Sequence, residues 1–371
     1  MGVYLDCAAT TPIDPHVLNV CLRYLRDDFG NASSRTHTHG AAARQAVEHA
    51  RDQLAAVAGA NRGDIIFTSG ATESNNLAIL GLAAVGLALG KTHIVSTTIE
   101  HSAVLEPLHE MERRGFRLTL IRPDTTGVVD AQAIADAVTD QTLLVSVMHV
   151  NNETGVIQPL EKTAELLADK PVYIHTDAAQ SFAKAPLTHE RIDLISLSGH
   201  KLCAPKGVGA LITRRRGRDR APLSPQQFGG GHERGLRPGT APVALIAALG
   251  EAAERWSSNA TARWRDAESF RQRLLDGLKP LNPIVNGANA VPFILNVGIP
   301  GHDSDDIMDA WADFVSVSSG AACSSNSYTC SHVLSSMGVD TGNAIRFSWC
   351  HLSELPNLPA MVAALTGARV S

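Results

Sequence analysis

The sequence of 371 residues lacks the usual signals of a metal centre or a disulfide framework. None of its six cysteines forms a C-x-x-C pair, and there is no H-E-x-x-H or paired Cys/His set. We therefore expect reduced thiols and no metal site. The tripeptide GKT at Gly90 does not complete a phosphate-binding loop, because the motif needs glycine at position 85, where the chain has Val85.

Long hydrophobic runs and a secretory leader are also missing. The longest apolar run, Leu77 to Gly90, is too short and too rich in glycine for a membrane span, and it is predicted to form a buried helix. The opening MGVYLDCAATT has no basic region followed by an apolar one. Asp6 stands where a myristoylation signal has serine or threonine. These features predict a cytoplasmic protein without membrane attachment.

Positive charge is in slight deficit. Lys and Arg total 32 against 37 Asp and Glu, and the net charge of −5 argues against broad direct binding of nucleic acid. The local exception is RRRGRDR, Arg214 to Arg220, which reads as a solvated turn after a strand or, alternatively, as a docking patch for an acidic partner.

Short apolar runs alternate with helical patterns through the middle of the chain. Five of these runs end abruptly in polar residues: DIIFTSGATESNN, THIVSTTIEH, TLLVSVMHVNNETG, VYIHTDAAQS and DLISLSGHK. Runs buried on both faces that alternate with helices are typical of a parallel sheet in an α/β domain. From about Gly250 the pattern changes to a long amphipathic helix, EAAERWSSNATARWRDAESFRQRLLDGL, and then to shorter elements. This change predicts a second, smaller α+β domain.

The polar residues at the ends of the runs form the candidate site. In open parallel sheets, ligands bind beyond the carboxyl ends of the strands. The candidates are therefore Thr72, His101, Asn152, Asp177, Gln180, Ser198, His200 and Lys201.

Lys201, together with the other candidate residues at the strand ends, indicates a site for pyridoxal phosphate (PLP). A lysine held in a protected site can form a Schiff base with an aldehyde. Gly70 to Thr72 begin an apolar helix whose N–H groups suit a phosphate, and Asp177 suits a pyridinium nitrogen. His101 could stack on the ring. Each residue alone has an ordinary explanation as a surface lysine, a turn, a helix cap or a core histidine, so the interpretation depends on their joint placement.

Nine motifs, in order from Tyr4 to about Ser348, resemble those of the NifS-like cysteine desulfurases. They are YLDCAATTP, FTSGATESNNLAI, EHSAVL, MHVNNETGVIQP, TDAAQS, SGHKLCAPKGVGAL, GGGHERGLRPGT, SSGAACSS and AIRFS. This family consists of class-V aminotransferase-like PLP enzymes with the aspartate aminotransferase fold, fold type I. The resemblance implies a large PLP-binding α/β domain (13–255) around a mainly parallel seven-stranded sheet. It also implies a smaller α+β domain (1–12 with 256–371) that carries the catalytic cysteine loop at about 316–332.

The resemblance further implies a role for each matching residue. Lys201 would hold PLP, His101 would stack on its ring and act in acid–base steps, and Asp177 would bind the pyridine nitrogen. Asn152 and Gln180 match residues at the ring oxygen, and Asn152 and Arg346 match residues at the substrate carboxylate. The phosphate would be held by Ala71, Thr72, Ser198 and His200. Thr240 would reach the phosphate of the second subunit of a homodimer.

Cys323 matches the nucleophile of the family. Its surroundings, SVSSGAACSSNSYTCS, are small and polar, which favours an exposed loop and a reactive thiol. The implied reaction converts L-cysteine to L-alanine and leaves a persulfide on Cys323 for an acceptor protein. Cys330 stands where the family commonly has proline, and an incidental role is favoured over a disulfide with Cys323 or receipt of the sulfur.

Several alternatives stay open at this point. The sulfur could serve iron–sulfur cluster assembly, tRNA thiolation or DNA phosphorothioation. Another PLP reaction, such as that of a selenocysteine lyase or an aminotransferase, would not need Cys323. A catalytically silent scaffold for sulfur-pathway proteins would need none of the site residues.

Overall fold

The computed structural model describes residues 2–187, 189–319 and 331–367. Its strands are β1 (Val3–Tyr4), β2 (Ile65–Thr68), β3 (His93–Thr97), β4 (Arg117–Ile121), β5 (Thr142–Ser146), β6 (Tyr173–Asp177), β7 (Leu194–Ser198), β8 (Gly209–Thr213), β9 (Arg215–Arg216), β10 (Asp219–Arg220), β11 (Ile284–Val285), β12 (Ile294–Gly298), β13 (Val315–Ser316) and β14 (Ala344–Ser348). Its α-helices are α1 (Pro15–Arg26), α2 (Thr38–Ala58), α3 (Ala71–Leu80), α4 (Ala83–Leu89), α5 (Ser102–Arg113), α6 (Ala131–Ala137), α7 (Leu160–Leu166), α8 (Val243–Ser258), α9 (Ala260–Leu278), α10 (Ser304–Trp311), α11 (His332–Met337) and α12 (Leu358–Thr366).

A seven-stranded sheet forms the centre of the fold, in the order β2-β8-β7-β6-β5-β3-β4. All neighbouring pairs are parallel except the two that involve β8. Every residue of β2, β3, β5, β7 and β8 is buried, because helices cover both faces of the sheet. The mainly parallel α/β sheet predicted from the sequence is confirmed, and the five apolar runs become β2, β3, β5, β6 and β7.

The two faces of the sheet carry separate apolar cores. On one face α1 and α2 pack against α8, and on the other α3 packs against α5. Leu77 and Ile79 of α3 are almost completely buried, and a buried side chain of this kind stabilises the fold by roughly 1.5–3 kcal/mol. By length and composition alone, Ala71–Leu89 could cross a membrane, but the structure divides it into α3 and α4, and 50% of the apolar window is buried inside the protein.

A second structural unit surrounds the antiparallel sheet β11-β12-β14. Its apolar core contains Trp311, Leu295 and Phe347, together with Leu5 from the start of the chain. This separate core supports the proposed division into 13–255 and 1–12 with 256–371. The single long helix predicted from about residue 251 is wrong, since the chain forms α8 and α9 with a break at Asn259 (φ −112°, ψ 9°).

The arginine-rich segment RRRGRDR follows β8 and forms the short hairpin β9–β10, in which residues 215–219 are exposed. Arg214 is buried, and its guanidinium donates to backbone carbonyl groups. Arg216 pairs with Asp193 at 2.8 Å, and Arg220 pairs with Asp64 at 2.6 Å. The predicted solvated turn is therefore confirmed for residues 215–219, whereas Arg214 and Arg220 are held by contacts within the fold.

Candidate active site

A cavity of about 600 Å³ lies at the carboxyl ends of the central strands. Nine of the residues that the sequence predicted for a site line it: Ala71, Thr72, His101, Asn152, Asp177, Gln180, Ser198, His200 and Lys201. The strand ends bring these residues together although up to 130 positions separate them in the sequence, from 71 to 201. Among the predicted residues that the structure describes, Thr240 and Arg346 do not line the cavity.

The carboxylate of Asp177 is held by two donors. Asp177 ends β6 and is 5% exposed. The backbone N–H of Ala179 donates to its Oδ1 at 2.8 Å, and the Asn75 side-chain amide donates to its Oδ2 at 2.8 Å. These bonds fix the orientation of a carboxylate that faces the cavity. Sequence reasoning missed Asn75, and the available signal was an asparagine among the apolar residues of α3.

Lys201 lies in a short 3₁₀ turn, Gly199–Lys201, that directly follows β7. Its Nζ donates to the backbone carbonyl of Ala8, which belongs to the N-terminal segment. The Gln180 side-chain amide donates to the same carbonyl oxygen at 3.0 Å. Ala8 therefore positions two predicted site residues, a contact that could not be found from local sequence patterns.

The start of α3 has the features of an anion-binding site. Gly70 precedes α3 with φ 154°, and within the described residues no side chain caps the helix. The first-turn N–H groups and the positive end of the helix dipole are therefore available to a phosphate. The opposite wall is close because residue 209 is glycine: a Cβ atom on Gly209 would lie 2.6 Å from the Cα of Gly70.

His101 caps the N-terminus of α5, and its Nδ1 accepts from the backbone N–H of Ala103 at 3.1 Å. Burial lowers the pKa of the imidazole below its usual value, and the nearby charge of Lys201 acts in the same direction. The carboxylate of Asp177 opposes this shift but does not cancel it. His101 is therefore neutral near pH 7 and is suited to accept a proton.

Arg346 lies behind the cavity on β14 and is fully buried. Its guanidinium donates to Asp6 Oδ1 at 2.6 Å and to the backbone carbonyl of Asn152 at 3.1 Å. Its backbone N–H also donates to the carbonyl of Ser318 at 2.6 Å. Arg346 thus connects a cavity residue to the segment that leads toward Cys323.

The described residues from Ser331 onward begin beside the same site. Ser331 donates to the buried carboxylate of Glu153 and accepts from the N–H of Leu334, as the N-cap of α11. The His332 ring hydrogen-bonds the carbonyl of Glu100, the residue before His101, at 3.0 Å. Ser331 and His332 therefore contact Glu153 and Glu100, each of which is next in the chain to a residue that lines the cavity.

For three of the predicted residues the described structure does not test a role at this site. Cys323 and Cys330 lie outside the described residues. Thr240 is exposed in the segment before α8. The roles predicted for these residues stay predictions.

Comparison with known proteins agrees with the fold. The class-V aminotransferase model matches residues 3–358. Cysteine desulfurase IscS of Serratia proteamaculans (strain 568) is 43% identical over 358 residues, which cover 94% of this chain and 88% of that protein.

Solved structures of similar proteins also agree with the fold. A NifS-like protein superimposes with a TM-score of 0.90 at 32% identity, covering 99% of this chain and 100% of that one. DndA from Streptomyces lividans has a TM-score of 0.82 at 44% identity, with coverages of 95% and 100%. SspA in complex with cysteine has a TM-score of 0.83 at 36% identity, with coverages of 94% and 99%. The chain therefore belongs to the class-V aminotransferase family and, within it, to the cysteine desulfurases.

Proposed function

We propose that this chain holds PLP in the cavity through Lys201, takes sulfur from L-cysteine, and carries it as a persulfide on Cys323. The observation that supports this most directly is the convergence of three unlike groups on one cavity. A lysine amine, a doubly hydrogen-bonded carboxylate and an uncapped helix N-terminus line it together. Few ligands other than PLP combine an aldehyde, a basic ring nitrogen and a phosphate.

The donor set fits PLP at each of these points. The N–H groups at Ala71 and Thr72, with the side chains of Ser198 and His200, would hold the phosphate. Asp177 would bind the pyridine nitrogen. When bound, PLP supplies an electron sink that stabilises negative charge developing on the substrate.

The chain's own residues would then bind cysteine and move protons. Asn152 and Arg346 would hold the substrate carboxylate, in agreement with the relative SspA, which has been solved with cysteine. Neutral His101 would accept a proton at Nε2, because its Nδ1 is engaged by Ala103. Lys201 would exchange a proton at the substrate carbon.

Sulfur transfer to Cys323 conserves atoms and electrons. The C–S bond of cysteine breaks as an S–S bond forms with the Cys323 thiolate. The electron pair of the broken bond stays on carbon, which takes up a proton to give alanine. The sulfur then lies on Cys323 as a persulfide, and no external oxidant or reductant is needed.

Cofactor binding can be tested at Lys201. The chain mixed with PLP is expected to develop the visible absorbance of a lysine Schiff base, and borohydride should fix the cofactor on the peptide that contains Lys201. Lys201→Ala should lose both signals. Lys206→Ala is the matched control, since Lys206 also lines the cavity but is exposed. Fixation on Lys206, or unchanged absorbance in Lys201→Ala, would contradict the proposal.

We also propose a homodimer in which Thr240 reaches the phosphate in the cavity of the partner subunit. The exposure of Thr240 outside its own cavity supports this arrangement. Sedimentation should give twice the chain mass, and Thr240→Val should weaken PLP retention without dissociating the dimer. A monomer that retains PLP fully would exclude this role. We place the enzyme in the cytoplasm.

DNA phosphorothioation is the destination of the sulfur that we favour. The solved structures of DndA, at 44% identity and a TM-score of 0.82, and of SspA, at 36% identity and a TM-score of 0.83, support this destination. Radiosulfur from labelled cysteine should therefore pass from Cys323 to an acceptor protein of that modification system. Transfer only to an iron–sulfur scaffold protein would favour cluster assembly instead.

A further inference from the structure

Three of the four cysteines in the described part of the chain converge behind the floor of the active-site cavity. The Sγ atoms of Cys203 and Cys350 and a ring nitrogen of His351 all lie within 4.8 Å of one another. Cys7 lies beside them: its Sγ is 3.8 Å from Oγ of Ser353, and the same Oγ is 3.9 Å from Sγ of Cys350. None of these four residues lines the active-site cavity, so the cluster is separate from the site described above.

The four side chains form the ligand set of a tetrahedral thiolate-rich metal centre. Zinc binds sulfur at about 2.3 Å and imidazole nitrogen at about 2.0–2.1 Å, which places tetrahedral ligand atoms about 3.5–3.8 Å apart. The ligand atoms of Cys203, Cys350 and His351 lie within 4.8 Å of one another, so they would approach by at most about 1.3 Å on binding the ion, and Cys7 would move in as the fourth ligand. Cys203 also has a left-handed backbone (φ 61°), which is unusual outside glycine and is found where surrounding structure imposes it.

His351 has the outer partner expected of a metal-binding histidine. Its Nε2 lies 3.1 Å from Oδ2 of Asp14, which is buried, and 3.3 Å from a guanidinium nitrogen of Arg263. A carboxylate on one ring nitrogen fixes the tautomer and leaves the other nitrogen unprotonated for a metal ion.

The charge of Lys184 also indicates an anionic centre. Its side chain is buried (7% exposed), and its Nζ lies 5.1 Å from the ring centroid of Phe293 and 5.3 Å from that of Trp256. None of the carboxylates in the described residues pairs with it, and it lines the same small cavity as Cys350 and His351. A divalent ion with three thiolates carries one negative charge, which a lysine ammonium would balance.

A path from the protein surface to the cysteine cluster is open to a metal ion. A cavity of about 130 Å³ is lined by Lys184, Cys350, His351 and Ser353, and the His351 side chain is 21% exposed. A metal ion could therefore reach the sulfur atoms without unfolding of the chain.

We propose that Cys7, Cys203, Cys350 and His351 bind a thiophilic divalent cation, zinc, in a tetrahedral site. Binding replaces three thiol protons, which pass to solvent, and involves no change of oxidation state. The ion would tie together the N-terminal segment, the turn after Lys201 and the end of β14. The ion would therefore stabilise the floor of the active site. This proposal departs from the expectation, drawn from sequence spacing, that the chain has no metal site.

The test uses the full-length PLP-loaded chain with Cys323→Ser and Cys330→Ser, so that the catalytic loop offers no competing thiol. After incubation with zinc and dialysis against a weak chelator, this parent should retain one zinc ion per chain. Cys350→Ser and His351→Gln should lose the ion. Cys21→Ser is the matched control, because Cys21 is buried on α1 outside the cluster, and it should retain zinc like the parent.

Cobalt substitution provides a second measurement that needs no cluster variant. The parent loaded with Co²⁺ should show thiolate-to-cobalt charge transfer and the strong d–d bands of a tetrahedral site, and chelation should lower its melting temperature. Absence of these bands together with no retained zinc would overturn the proposal. Equal zinc retention in Cys350→Ser and the parent would overturn it as well, because the ion would then be bound elsewhere.

Discussion

The side-chain amide of Asn75 donates to Oδ2 of Asp177 across 2.8 Å, and both side chains are buried. This bond joins α3, whose start is the proposed phosphate site, to the carboxylate proposed for the pyridine nitrogen. The two ends of the cofactor site are thereby coupled through α3.

We expect Asn75→Ala to weaken PLP binding about 10- to 100-fold, because a hydrogen bond to a charged group contributes about 1.5–3 kcal/mol. The dissociation constant can be measured by equilibrium dialysis. Asn76→Ala is the control, since Asn76 is half-buried and its amide donates only to the backbone of its own helix in the described structure. Equal PLP affinity in both variants would show that Asn75 does not support Asp177.

The pair Arg346–Asp6 predicts opposite changes in substrate affinity. Lysine at position 346 could not serve Asp6, Asn152 and a substrate carboxylate together, so Arg346→Lys should raise KM for cysteine about tenfold or more. Asp6→Asn removes a carboxylate that competes for the guanidinium, so KM should fall. Steady-state kinetics on PLP-loaded protein give both values. If KM stays unchanged in both variants, Arg346 acts in structure rather than in substrate binding.

The imidazole of His175 predicts a loss of stability in acid. It is fully buried between Ser146 and Ser196, at 2.8 and 3.0 Å, and burial lowers its pKa to about 4 from the ordinary 6.5. Between these values the unfolded chain binds a proton that the folded chain excludes. The contribution of neutral His175 to the free energy of unfolding is therefore complete above pH 6.5. It is lost, by roughly 3 kcal/mol, as the pH falls to 4.

Urea unfolding as a function of pH checks this prediction. His175→Gln should show a shallower fall in the free energy of unfolding between pH 6.5 and 4 than the wild type, whatever its stability at neutral pH. Parallel curves for the two proteins would mean that His175 does not titrate on unfolding.

The sequence was sufficient for the sheet and for most of the cavity, because both follow from local patterns. Lys201 and Asp177 come directly after buried runs, and parallel strands bring their carboxyl ends to one edge. Contacts between distant segments gave no such signal. The carbonyl of Ala8 beside Lys201, and Asp6 beside Arg346, depend on how the N-terminal segment crosses the site.

Other features went unpredicted for different physical reasons. The helix break at Asn259 lies in a run of good helical periodicity, where three polar residues, SSN, make the local preference weak. Arg214 is buried because backbone carbonyls surround it, which composition cannot show. Cys7, Cys203 and Cys350 match no metal-binding spacing, since three separate segments supply them.

The most direct test of the proposed mechanism is cysteine-dependent alanine release, measured with the wild type, Cys323→Ser and the control Cys330→Ser. We expect alanine from the wild type and from Cys330→Ser, with a persulfide detected by mass spectrometry on the peptide that contains Cys323. Cys323→Ser should release almost none. Equal alanine release by Cys323→Ser and the wild type would contradict the account, because sulfur would then leave cysteine without attack by Cys323.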